Sequence, residues 1–144
     1  MEKSKVRVLV VDDEEGILQS LKTHLELDGY QVEISDSAAG ALEKLETQAF
    51  HMVLADINMP GMDGIELLEE IKKIRGETIV IMITAYSSLM KVVNSRVFGA
   101  ADYVLKPFRD LSELDEVIER AYRQIRRWEE VLAETMKQKK NKAA

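Results

Sequence analysis

The sequence predicts an α/β fold, a doubly wound sheet of five parallel strands with a long helix at the C-terminal end. Three observations predict it. Short apolar runs and amphipathic helical stretches alternate strictly, five times over, the pattern of a parallel sheet with right-handed crossovers and helices on both faces. The runs Val6–Val11, Met52–Ala55 and Thr78–Ile83 are nearly continuous in apolar residues, which reads as strands buried on both sides. Four of the five runs stop on a polar residue: Asp12-Asp13, Asp56, Thr84 and Lys106. That edge, at the carboxyl ends of the strands, is where open α/β sheets bind ligands.

The elements follow in order. Val6–Val11, broken only by Arg7, is the first strand. Glu14–Asp28 carries Ile17, Leu18, Leu21 and Leu25 at helical spacing, and Gly29 closes that helix as a C-terminal cap does. Tyr30–Ile34 alternates apolar and polar residues and predicts a more exposed strand. Ser37–Gln48 is helical, with Ala38, Ala41, Leu42 and Leu45 on one face. The central strand Met52–Ala55 ends at Asp56 and is followed by the turn residues Asn58, Pro60, Gly61 and Gly64. Ile65–Lys73 is a short helix, Thr78–Ile83 a β-branched strand ending at Thr84, and Ser87–Phe98 a weakly patterned helix closed by Gly99. Tyr103–Leu105 is a last short strand ending at Lys106-Pro107, and the pattern is helical again from Leu111.

Composition narrows the function. The net charge is −6, distributed as −7 over residues 1–110 and +1 over residues 111–144. An acidic globular part argues against nucleic acid or an anionic membrane as its ligand. Without cysteine neither a disulfide framework nor a thiolate metal site is available. There is no signal-peptide core and no apolar stretch long enough to span a bilayer, so the expectation is a cytoplasmic protein. His24 and His51, the two histidines, are expected to be structural or surface residues.

The strand ends specify a chemistry. Three carboxylates brought together repel by about 4 kcal/mol per pair at ~4 Å and an effective dielectric near 20. A hard divalent cation relieves this, and oxygen-only ligation suits Mg²⁺, which keeps waters and takes carboxylates together with a phosphate oxygen. Asp56 can then act as a carboxylate nucleophile toward phosphorus. The three oxygens of the transferring group would go to the metal, the Lys106 ammonium and the Thr84 hydroxyl, where positioning and charge stabilisation do most of the catalysis. Each residue alone has a plainer reading. Asp12 and Asp13 could cap a helix, Asp56 could be a turn acid, Thr84 an ordinary strand residue and Lys106 a solvated one. Four such coincidences at four strand ends make the joint reading the better one.

These residues carry a family resemblance. Val10-Val11-Asp12-Asp13, Asp56 with Met59-Pro60 and Gly64 behind it, Thr84-Ala85, Gly99-Ala100 before Asp102-Tyr103, and Lys106-Pro107-Phe108 resemble the receiver domain of a bacterial two-component response regulator, over roughly residues 5–126. The resemblance implies a flavodoxin-like sheet of order 2-1-3-4-5 and Asp56 as phosphoacceptor. It also implies Mg²⁺ held by Asp13, Asp56 and the backbone carbonyl of Asn58, with Asp12 acting through water, and a cis bond at Lys106-Pro107. The expected function is a signalling switch, not an enzyme. A sensor histidine kinase or phosphotransfer protein phosphorylates Asp56, Thr84 and Tyr103 carry the change, and the Ser87–Phe98 helix, last strand and last helix form the partner surface. Asn94 and Arg96 make that helix less alanine-rich than the family's usual pattern. A metal-dependent aspartyl-phosphate phosphatase is the competing class. Such enzymes commonly place a second Asp two residues after the nucleophile, where this chain has Asn58. A receiver serving only as a scaffold is disfavoured by the complete acid set.

The expected division is a receiver domain at residues 1–126 and a helical extension or linker at 127–144. Leu111, Leu114, Ile118, Ala121, Ile125, Trp128, Leu132 and Thr135 follow a 3-4 heptad spacing, which predicts a coiled-coil seam joining two copies. Asp110 and Glu113 are the expected capping pair at its start. A helix from Leu111 to Lys140 would be about 45 Å long, so only its first part can lie on the sheet. The chain is expected to be the N-terminal part of a longer regulator with a downstream output domain or target. A single-domain receiver acting through protein contacts is the alternative.

Overall fold

The computed structural model describes residues 1–85, 90, 91, 93, 98–108 and 110–143. Among them five strands form one sheet: β1 (Arg7–Val11), β2 (Gln31–Ser35), β3 (Met52–Asp56), β4 (Ile79–Ala85) and β5 (Asp102–Lys106). Every neighbouring pair is parallel and the order is β2-β1-β3-β4-β5, as expected. The helices are α1 (Glu15–Leu27), α2 (Ala38–Thr47), α3 (Gly64–Ile74) and a long C-terminal helix, α4 (Ser112–Ala143). The helix expected at Ser87–Phe98 falls largely on residues outside those described.

Alternation along the strands divides the apolar residues into two cores. Val8, Val10, Leu54 and Ile81 face one side, where Leu18, Leu21 and Leu25 of α1 and Leu114, Val117 and Ile118 of α4 cover them. Leu9, Val11, Val53 and Val80 face the other, under Ala41 and Leu45 of α2 and Leu67, Leu68 and Ile71 of α3. Each such fully buried leucine contributes about 1.5–3 kcal/mol. Because helices cover both faces, β1, β3 and β4 are nearly all buried and are apolar apart from Arg7, Asp56 and Thr84, while the edge strands β2 and β5 carry more partly exposed residues.

The helix ends are set locally. Gly29, at φ +108°, closes α1 in a Schellman motif. Its N–H donates to the Glu26 carbonyl at 3.0 Å, and the Tyr30 N–H donates to Leu25 at 3.1 Å. Ser37 caps α2 by accepting from the Gly40 N–H at 3.0 Å, and Asp63 caps α3 by accepting from Glu66 at 2.9 Å. At the start of α4, Asp110 accepts from the Ser112 N–H at 2.8 Å.

Gly64 does more than begin a helix. A methyl group built there would lie 2.2 Å from the Asp56 carbonyl oxygen and 2.7 Å from Ile57 Cα. The first turn of α3 is therefore seated directly on the backbone that carries Asp56. Gly64→Ala is expected to cost about 1–3 kcal/mol by overpacking and to displace Asp56, which urea unfolding and the Asp56 amide shift would both register. Unchanged values of both would show that the contact relaxes freely.

The C-terminal helix corrects one expectation. Leu114, Ile118 and Ala121, expected on a coiled-coil seam, are buried in the domain's own core together with Val117. Exposure begins after Ile125, which still packs on that core, and Trp128, Leu132 and Met136 are 59–70% exposed. An amphipathic helix lying on a sheet and a short coiled-coil seam produce nearly the same spacing. The upper half of the stripe is the former, and only the part beyond Ile125 is free to meet another chain. Polar contacts pin the upper half: His24 Nε2 lies 2.6 Å from Asp115 Oδ1, and Lys3 Nζ lies 2.6 Å from Glu119 and 3.2 Å from Asp28. His51 accepts from the Arg7 N–H at 3.0 Å, so both histidines have structural contacts.

Candidate functional site

Parallel pairing carries the ends of β1, β3, β4 and β5 to one edge, with Val11 beside Ala55, Asp56 beside Ile83, and Ala85 beside Lys106. Asp12 and Asp56 are buried, while Asp13 is exposed. Each of these three can place a carboxylate oxygen within 4.8 Å of the others. Lys106 Nζ lies 2.7 Å from Asp12 Oδ2, 3.3 Å from Asp56 Oδ2 and 3.9 Å from Glu14 Oε1. The Lys106-Pro107 bond is cis.

The backbone holds the acids from the other side. Asp12 Oδ1 accepts from the Glu14 N–H at 2.9 Å, and Asp56 Oδ1 accepts from the Asn58 N–H at 3.2 Å. Asp12 thus orients the chain entering α1 without capping it, since the N-cap is Glu14 and has no side-chain cap hydrogen bond, while its second oxygen faces Lys106. Burial pushes the Asp56 carboxyl above its usual range, more than the Lys106 ammonium pulls it down, and the Asp12 charge adds to the rise. Burial also works against the Lys106 charge. The Asp12 hydrogen bond and the Asp56, Asp12 and Glu14 charges outweigh it, so the ammonium's pKa is raised. Asp12 makes the shorter contact and is the lysine's main partner, and Asp56 is left incompletely compensated.

That incomplete compensation fits a cation. The three acids supply hard oxygen donors from two backbone segments, at the ends of β1 and β3, each buried carboxylate oxygen can accept beyond its one protein hydrogen bond, and exposed Asp13 opens the cluster to water. A partly hydrated Mg²⁺ wants such a set.

Thr84 is fully buried in β4 and its hydroxyl donates to the Ala85 carbonyl at 3.2 Å, so it reaches the site's edge without joining the acids. Tyr103 is 40% exposed on β5. The structure thus brings Asp12, Asp13, Asp56 and Lys106 together, sets Asn58 against Asp56, and leaves Thr84 and Tyr103 turned elsewhere. Two residues escape the sequence reading. Glu14 adds charge near Lys106, and Lys91 Nζ donates to Asn58 Oδ1 at 3.2 Å. Glu14 could have been read from its place beside the acid pair. Lys91 lies in a stretch whose pattern is weak, and nothing local marks it.

A five-stranded parallel sheet with an acid cluster and a lysine at its carboxyl edge defines an aspartate-centred receiver. Residues 8–119 match the family model of the response regulator receiver domain, and the chain belongs to that family. It is 39% identical over 119 residues to the response regulator protein FleR of Pseudomonas aeruginosa, covering 83% of this chain and 25% of that protein; the chain spans about a quarter of the length of this relative. Among solved structures, a CheY-like receiver domain protein from Methanospirillum hungatei superposes with a TM-score of 0.77 at 40% identity, covering 85% of this chain and 98% of that one. TrrA of Thermotoga maritima, solved in complex with Mg²⁺-BeF, gives 0.72 at 35% identity, covering 81% and 98%. Among the described residues no helix is long and apolar enough to cross a membrane.

Proposed function

We propose that this chain is a phosphorylation switch in which Asp56 accepts a phosphoryl group from a sensor histidine kinase or phosphotransfer protein in the cytoplasm. The observation that carries the reading is the convergence of three carboxylates and the Lys106 ammonium at the carboxyl edge of the sheet. Asp12, Asp13, Asp56 and the Asn58 backbone carbonyl would hold Mg²⁺. When bound, the ion supplies charge neutralisation among the acids and for the phosphoryl oxygens. Family membership and the Mg²⁺-BeF complex of TrrA support this assignment.

The protein's own groups do the rest. An Asp56 oxygen attacks phosphorus. The Lys106 ammonium, 3.3 Å from Asp56, is placed to pair with a phosphoryl oxygen. The Thr84 hydroxyl gives up the Ala85 carbonyl for another, and Tyr103 leaves its exposed position for the space behind Thr84. Moving a two-state equilibrium from 1:99 to 99:1 takes about 5.5 kcal/mol, which a few charge-assisted hydrogen bonds at about 1.5–3 kcal/mol each can supply. The readout is the surface of β5 and α4. Hydrolytic function is disfavoured by Asn58, which cannot serve as the general acid. Intact mass after incubation with acetyl phosphate tests the reading. The addition of one phosphoryl group with Mg²⁺, and none after chelation, is expected; labelling that ignores the metal would contradict it.

We assign residues 1–126 to the switch and 127–144 to a helical extension toward an output domain or target protein, since the longer FleR matches over only a quarter of its length. Trp128, Leu132 and Met136 make the extension a homodimer contact. With the upper stripe buried, the seam is left with little more than Trp128, Leu132 and Met136 and little apolar area to bury, so association is weak and easily biased by phosphorylation. Leu132→Glu is expected to weaken self-association at least tenfold, about 1.4 kcal/mol. Sedimentation at several concentrations, with and without beryllofluoride, checks this. A wild type that stays monomeric throughout, with Trp128 emission at the fully exposed wavelength, would remove the dimer.

A further inference from the structure

Two lysines are tied to Asp56, one directly and one through Asn58. Lys106 is the inner one, largely enclosed and engaged with Asp12. The outer one is Lys91, beyond the end of β4, whose ammonium donates to the Asn58 side chain at 3.2 Å while the Asn58 N–H donates to Asp56 Oδ1 at 3.2 Å. A single residue, Asn58, therefore links the phosphoacceptor to an exposed lysine. The surroundings make that placement consequential. Asp12, Asp13, Glu14 and Asp56 gather negative charge at the strand ends, and the whole chain carries −6. A phosphoryl donor is itself an anion and has to approach against this field. Lys106 is committed to the acids, so an exposed ammonium at the rim is the group a donor would meet from solvent.

We propose that Lys91 is a positioning residue for phosphoryl transfer: held at the rim by Asn58, its ammonium draws in the anionic donor and orients it toward Asp56. This rests on the reading of Asp56 as phosphoacceptor. In the transfer, an Asp56 oxygen forms the new O–P bond. With acetyl phosphate the bond from phosphorus to the acetyl oxygen breaks and acetate leaves with the electron pair. With phosphoramidate, whose nitrogen already carries the extra proton, the P–N bond breaks and ammonia leaves. Lys91 takes no part in either bond change. Its contribution scales with the donor's charge, and salt screens it because it is exposed.

Initial phosphorylation rates with these two donors test the proposal. Acetyl phosphate is a dianion at neutral pH, and phosphoramidate carries one net negative charge. Lys91→Gln is expected to slow acetyl phosphate about threefold, as loss of one steering charge should, and phosphoramidate less. Lys91→Glu should slow acetyl phosphate further, and Lys91→Arg should restore it. The wild-type rate should fall with added salt more steeply than that of Lys91→Gln. Equal rates for wild type and Lys91→Gln with both donors would overturn the proposal. So would equal slowing with both donors at an unchanged salt dependence, which would mark a merely structural contact. If wild type takes no label on Asp56 from either donor, it is the phosphoacceptor reading that fails.

Discussion

Asp56→Asn is expected to abolish phosphorylation outright, leaving intact mass unchanged under conditions that label the wild type. On the proposed reading the Asp56 carboxylate is the nucleophile, and an amide in its place is neutral and weakly nucleophilic. A second readout is independent of labelling. Burial raises the Asp56 pKa, so the charged form is disfavoured in the fold relative to the unfolded chain. For a carboxylate with a raised folded pKa, stability is gained as pH falls through that pKa and lost above it. Without divalent ions the Asn variant should therefore resist urea better than wild type at neutral pH, and the difference should shrink on acidification. Mg²⁺ at ten times its dissociation constant should stabilise wild type by about 1.4 kcal/mol and the variant less. Equal labelling of the two proteins would sink the assignment.

Lys106→Met is expected to be the most destabilising substitution at the site, at about 3–5 kcal/mol, because it leaves a buried carboxylate pair without its cation. Among the described residues Lys106 is the only cation within 4 Å of an Asp12 or Asp56 carboxylate oxygen. The loss is a large fraction of the ~5–15 kcal/mol that holds a domain together. Urea unfolding measures it. Adding Asp12→Asn to Lys106→Met should recover part of the loss, since the neighbouring charge then disappears, and Mg²⁺ should recover part in the single variant. A cost below about 1 kcal/mol would place these contacts with exposed surface pairs and undo the electrostatic account of the site.

Much of the fold is legible in order along the chain. Val8 to Val11, Met52 to Ala55 and Ile79 to Ile83 are apolar on both faces, which only a doubly covered sheet explains. Asp12-Asp13 and Asp56 end two of these runs and Lys106 ends the short strand β5, so they are legible as a site because parallel strands carry their ends to one edge. Element limits move by a residue or two. Thr84 lies inside β4 because it pairs with Leu105 and the ladder runs on to Ala85 and Lys106, a pairing that local composition does not encode.

The contacts that escape the sequence join distant positions. Asn58 and Lys91 meet across 33 residues, and His24 and Asp115 across 91. The role of Gly64 depends on how closely α3 sits on the Asp56 backbone. The heptad stripe shows the limit most plainly. A period of 3.5 and one of 3.6 drift apart by only about 20° per heptad, so the residues from Leu111 to Thr135 fit a coiled-coil seam and a core-facing helix equally well. The sequence by itself determined the alternation, the parallel sheet, the acids and the lysine, because burial and chain direction act on neighbouring residues. Only the tertiary structure decided where the last helix leaves the core, which oxygen of Asp12 faces Lys106, and that Lys91 stands beside Asn58. Those depend on distances between segments, and local periodicity carries no information about them.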